Sequence, residues 1–121
     1  MQYLLLIYDD ESVWAEMPEA ERNGVVAEYG AYTTALRDCG ALLGANQLQP
    51  VGTATSVRVR GGEQLVTDGP FAETKEALGG YYLIDVETID EALEWAAKIP
   101  SARYGTIEVR PVVMRVAEVP A

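Results

Sequence analysis

Histidine is absent from this chain, and its absence removes several chemistries at once. Ser-His-Asp and Cys-His catalysis, zinc or iron held by imidazole, and a histidine general base are all excluded. A metal would have to be held by carboxylates, so the inventory calls for neither a metal nor a cofactor. The one cysteine, Cys39, has no partner for an internal disulfide, in keeping with a reducing compartment. Bases are scarce too: nine stand against nineteen acids, for a formal charge of −10. Such a surface repels phosphate backbones and anionic lipid, so neither nucleic acid nor a membrane is an expected partner. Long apolar runs are missing. The longest, Tyr3 to Tyr8, is far short of a bilayer span, and no secretory leader pattern opens the chain. The expected location is the cytoplasm.

What is present is ordinary globular patterning over 121 residues, which predicts one domain with a single core across 1–121. Gln2 to Tyr8 reads as a central strand covered on both faces. From Pro18 the period changes, and Val25, Val26, Tyr29, Tyr32, Leu36 and Cys39 form one apolar stripe on a helix that stops at Gly40. This places Cys39 in the core. Ala41 to Leu48 is a weak strand. Thr55 to Arg60 and Glu63 to Thr67 flank Gly61-Gly62 as a hairpin, with Arg60 opposite Glu63 and Val57 opposite Val66. Gly79 to Val86 is a further strand. Thr88-Ile89-Asp90-Glu91 has the form of a capping box opening a helix that Pro100 ends. Thr106 to Val116 is a final strand, with Pro111 at an edge or a bulge.

Two strand–helix–strand units with both helices on one face of an antiparallel sheet define an α+β, ferredoxin-like fold with an added β-hairpin. The other face of such a sheet is bare and apolar. Two copies meeting there as a symmetric homodimer is the expected assembly.

Asp68-Gly69-Pro70-Phe71, followed by Ala72-Glu73-Thr74-Lys75-Glu76, stands between the hairpin and the Gly79-Gly80-Tyr81-Tyr82-Leu83-Ile84 strand. With Glu108-Val109-Arg110-Pro111, Tyr3-Leu4-Leu5-Leu6-Ile7-Tyr8 and Thr55-Ser56-Val57-Arg58-Val59, these residues resemble the DGPF branch of the YCII-related proteins over nearly the whole chain. The resemblance implies a dimeric α+β barrel and a small bacterial protein often encoded beside alternative sigma factors. Barrels of this type include cofactor-free isomerases, monooxygenases and lyases. The family usually carries Arg-His-Gly where this chain has Arg103-Tyr104-Gly105, so a histidine–aspartate mechanism does not transfer.

Asp68 is the candidate catalytic residue, an acid at a strand end where a loop begins; the competing reading is an Asx-type turn. Gly69 answers to the restriction before Pro70, and Phe71 is expected to plug the core. Lys75 is a candidate ligand-binding residue among acids. Tyr8, Tyr81, Tyr82 and Tyr104 are candidate pocket hydroxyls, and Arg110 a candidate carboxylate clamp. On a strand Tyr81 and Tyr82 must face opposite ways. Trp14 and Trp95 read as packing residues. The functional expectation is a homodimer binding a small polar molecule near Asp68, with cofactor-free acid/base chemistry as one possibility. A non-catalytic accessory protein working with a sigma factor is the alternative.

Overall fold

A computed structural model describes residues 1–114. Strand β1 (Gln2–Asp9) leads through helix α1 (Glu11–Glu16) to the long helix α2 (Glu19–Asp38). Strand β2 (Leu42–Gln47) and a 3₁₀ turn (Val51–Thr53) precede the hairpin β3 (Thr55–Arg60) and β4 (Glu63–Asp68). Strand β5 (Ala77–Asp85), helix α3 (Ile89–Ala97), a second 3₁₀ turn (Pro100–Arg103) and strand β6 (Thr106–Pro111) complete it. The final strand is shorter than the expected Thr106 to Val116; positions 115 and 116 lie outside the described residues.

The four-stranded sheet runs β2-β5-β1-β6, and its pairs are antiparallel. With the helices on one face, this is the ferredoxin-like α+β fold that the periodicities predict. The hairpin forms a separate two-stranded sheet. Along β1, Tyr3, Leu5 and Ile7 are buried beneath the helices, while Leu4, Leu6 and Tyr8 point to the opposite face and are half-buried. Leu5, Leu36 of α2, Ile84 of β5 and Ile99 are fully buried and centre the core. Each such side chain contributes about 1.5–3 kcal/mol by leaving water.

The helices begin and end where local chemistry requires. Asp10 caps α1, its carboxylate accepting from the Ser12 N–H at 2.9 Å and the Ser12 hydroxyl at 2.7 Å. This short helix escapes the periodic pattern because it has no buried residue. Helix α2 stops at Gly40, whose φ of 81° suits glycine. There Ala41 N–H reaches Leu36 O and Gly40 N–H reaches Arg37 O, a Schellman closure. Cys39, just before that glycine, is exposed rather than buried, because it is the C-cap beyond the last helical residue, and the buried stripe of the helix ends at Leu36. Thr88 caps α3, its hydroxyl accepting from Glu91 N–H at 3.2 Å.

The hairpin has the expected register, Arg60 opposite Glu63 and Val57 opposite Val66. Gly61 and Gly62 adopt φ of 58° and 81°, the two positive values a type I′ turn needs. It packs on little. Residues of β4 are exposed throughout, and so are those of β3 apart from Ser56. Phe71 is 80% exposed, which overturns its expected place in the core. After Pro70 the chain is exposed through Lys75, and among the described residues no helix or strand is laid over that ring.

Candidate functional site

The described residues line a half-open cleft of about 760 Å³ on the helix side of the sheet. Its floor is the end of β1 with β2 and β5, through Ile7, Asp9, Ala45, Gly79 and Gly80; Trp14 and Ala15 of α1 and Val26 and Tyr29 of α2 wall it. Ser101 and Tyr104 close one end, and Leu48 and Pro50 the other.

Small residues make this space. Gly80 lies on the helix side and is buried, and a Cβ there would come within 2.9 Å of the Asn46 carbonyl oxygen. A side chain at that point would both push β2 away and fill the cleft. At Gly79 a Cβ would meet Asp9 Oδ1 at 3.6 Å. Gly105 is tighter still. A Cβ would overlap the Tyr8 carbonyl oxygen and lie 3.0 Å from Asp9 Cβ, so only glycine lets the turn carrying Ser101 and Tyr104 close against Asp9.

Asp9 is the acid at the head of the cleft. Burial raises its carboxyl above the ordinary carboxylate value, and the negative charges of Glu11, Glu76 and Asp10 raise it further. Among the described residues no Lys or Arg pairs with it. Neighbouring Asp10 moves the other way: the hydrogen bonds from Ser12 lower it, with a small contribution from the charge of Lys75. Glu11 is committed elsewhere, its Oε2 accepting from Val51 N–H at 2.8 Å, which ties α1 to the loop after β2.

Hydroxyls ring the interior. The Tyr29 hydroxyl and Ser101 Oγ share a hydrogen bond of 2.5 Å, and burial pushes the Tyr29 phenol up to about 12 despite that bond. The Tyr82 hydroxyl bonds Thr33 Oγ1 at 2.7 Å, and its ring meets Tyr32 edge-on at 5.1 Å between centroids. Tyr32 in turn donates to the Trp95 carbonyl oxygen, and burial raises its phenol as well. These contacts hold Tyr29 and Tyr82 in fixed positions along the cleft.

The residues singled out from sequence divide into groups. Tyr82 and Tyr104 line the cleft. Tyr81 borders it from the strand, but its ring, one residue from Tyr82, points to the opposite face, where its hydroxyl accepts from Asn46 Nδ2 at 2.8 Å. Tyr8 lines a second, smaller cleft of about 580 Å³ with Pro70, Phe71 and Glu76. Asp68 and Lys75 are exposed and line neither. Asp68 ends β4 opposite Thr55. Arg110 is exposed on the far face of β6, 3.6 Å from Glu108. The Gly-Pro corner beside Asp68 has its own structural account. Gly69 has φ of 97°, its N–H donates to Ala54 O at 2.6 Å and its carbonyl accepts from Ser56 Oγ at 2.8 Å.

Asp9, Tyr29, Trp14 and Ser101 escaped the sequence reading as site residues. For Asp9 the only local sign is its place as an acid ending an apolar strand, which does not by itself mark a site. Tyr29 and Trp14 read as packing residues, and nothing local marks Ser101.

Sheet order, helix placement and a cleft between them define a ferredoxin-like α+β protein with an open cleft on its helix side. The chain belongs to the YCII-related family, whose domain matches residues 1–115. It is 40% identical over 116 residues to an uncharacterised protein of Rhizobium meliloti (strain 1021), covering 94% of each chain. No helix among the described residues is long and apolar enough to cross a membrane. No group of three His, Cys, Asp or Glu residues there is arranged to hold a metal.

Proposed function

We propose that this protein binds a small organic molecule in the helix-side cleft, with Asp9 as the group that exchanges a proton with it. The observation that carries the reading is the raised carboxyl of Asp9 at the head of a roomy, largely apolar cleft. A carboxyl held above its usual range is a better proton carrier near neutral pH than an exposed aspartate. The chemistry these residues offer is a cofactor-free proton transfer of the isomerase or lyase type. Tyr104 and the Tyr29–Ser101 pair are the nearby hydroxyls for orienting a ligand. The exposed Asp68 lacks the enclosure that role requires, so the proposal moves the acid to Asp9.

We assign the chain to the DGPF branch of its family on Asp68-Gly69-Pro70-Phe71, as one cytoplasmic domain that pairs with itself through the bare sheet face. A second reading draws on the hairpin: Val57, Val59, Val66 and Phe71 are all more than half exposed, an apolar surface suited to a protein partner such as a sigma factor.

Fragment screening by protein-observed NMR tests the first reading. Small aromatic fragments are expected to shift Trp14, Tyr29, Tyr82 and Tyr104 together, and Val26→Trp, which fills the cleft, is expected to abolish those shifts. Shifts confined to Tyr8 and Phe71 would move the site to the second cleft and refute the proposal.

A further inference from the structure

The cleft has a sign as well as a shape. Its described lining contains Asp9 and Glu11 and no Lys or Arg. Asp10 and Glu76 lie close enough to act on Asp9 through their charge. Lys75 is felt at Asp10, outside the cleft, and Arg103 is engaged by Glu28 through contacts of 2.6 and 3.1 Å. No Lys or Arg therefore stands in the lining to offset these carboxylates; the charge of Arg103 reaches Tyr29 and Tyr104 of the wall, but that guanidinium is already paired with Glu28. An anionic ligand entering would meet repulsion in a partly dry environment, where charge interactions are stronger than in water. A cationic one would supply the missing partner.

The lining also decides which kind of cation fits. A hard metal ion needs several oxygen ligands arranged around it, and no such group exists among the described residues. Glu11 already spends one oxygen on Val51 N–H. The cleft that Asp9 shares is lined chiefly by aromatic and apolar side chains, among them Trp14, Tyr29, Tyr82 and Tyr104, with Ile7 and Val26. Aromatic rings attract ammonium groups through their faces, and apolar walls favour an organic body.

We infer that the cleft takes a protonated organic amine, its ammonium on Asp9 and its apolar body between Trp14 and Val26 on the helix side and Ile7 and Gly80 on the sheet. This deepens the proposed function and rests on the same cleft. It leaves no role in this cleft for Arg110, the candidate carboxylate clamp, or for Lys75, since neither lines it.

Three probes of nearly equal shape and different charge test it: phenethylamine, phenethyl alcohol and phenylpropionate, titrated into the full chain at pH 7 and low salt. The amine is expected to bind about tenfold tighter than the alcohol, and the carboxylate weaker than either. In Asp9→Asn the amine is expected to lose its advantage while the alcohol binds as before, so the alcohol also reports that the variant is folded. Equal binding of amine and alcohol to the wild type, or an advantage that survives Asp9→Asn, overturns the amine assignment and leaves the cleft reading intact. Binding of none of the three, or binding unchanged in Val26→Trp, overturns both.

Discussion

Two regions of this molecule treat their residues in opposite ways. At the helix-side cleft, side chains from β1, β5, α1, α2 and the turn before β6 converge on one space, and Gly80 and Gly105 are there because neighbouring atoms leave no room. At the hairpin and the corner after it, a conspicuous sequence produces exposed residues, and its glycines answer to backbone angles alone. A motif that stands out in a sequence thus need not mark a site. Asp68-Gly69-Pro70-Phe71 stands out because a positive φ, a proline and two hydrogen bonds are needed to turn the corner.

Leu5→Ala in the first region sets the upper end of that contrast. Leu5 is fully buried between the sheet and the helices, so truncation is expected to cost about 2–5 kcal/mol in urea denaturation. Val57→Ala in the hairpin, at 56% exposure, is expected to stay within about 0.5 kcal/mol. Similar losses at both positions would mean that the hairpin is buried in solution, as a partner chain lying over it would require.

Gly105→Ala comes next. The added methyl has to displace the Tyr8 carbonyl or the Asp9 side chain, and overpacking of this kind costs about 1–3 kcal/mol. It also moves Asp9 away from Ser101 and Tyr104. Loss of fragment binding is therefore expected even under conditions where the variant remains folded by circular dichroism. A variant with wild-type stability and binding would show that Gly105 does not position the site.

The fold was legible because its signals are local and redundant: the change of period after Pro18, the Gly61-Gly62 turn with Arg60 facing Glu63, and the Thr88–Glu91 cap each announce an element unaided. The site was legible only in part. Tyr82 and Tyr104 were visible as polar aromatics on a strand and after a helix. Asp9 was not, because its character comes from burial and from Glu11 and Glu76, and Glu76 reaches it only through the pairing of β1 with β5. Cys39 and Phe71 failed for the opposite reason. An apolar residue at the end of a stripe, or after a corner, is buried only if another element passes over it, and among the described residues none does.

Asp9→Asn separates charge from packing by pH. The fold disfavours the Asp9 anion, so ionisation costs stability as pH rises from the ordinary value of 3.8 through the raised value in the folded chain, and the deficit persists at neutral pH. The amide has no such charge. Its melting temperature is expected to exceed the wild type's at pH 7 and to match it near pH 3, where both side chains are neutral. A lower melting temperature at pH 7 would show that the carboxylate is stabilised in the fold, and the raised carboxyl on which the proposed function depends would be lost.

Asp68→Asn should do least. Its side chain is exposed, lines neither cleft and makes no ion pair among the described residues. Gly69 and Ser56 hold the corner through other atoms. Stability is expected to change by less than about 0.5 kcal/mol, and the affinity for phenethylamine is expected to stay the same. Phe71→Ala, measured alongside, extends the test to the most exposed large apolar side chain of the corner. If either substitution abolishes ligand binding while the chain stays folded, the corner belongs to the site. Because Phe71 and Glu76 line the second cleft and Leu48 and Pro50 line both, that loss would mean the loop after β2 couples the two spaces.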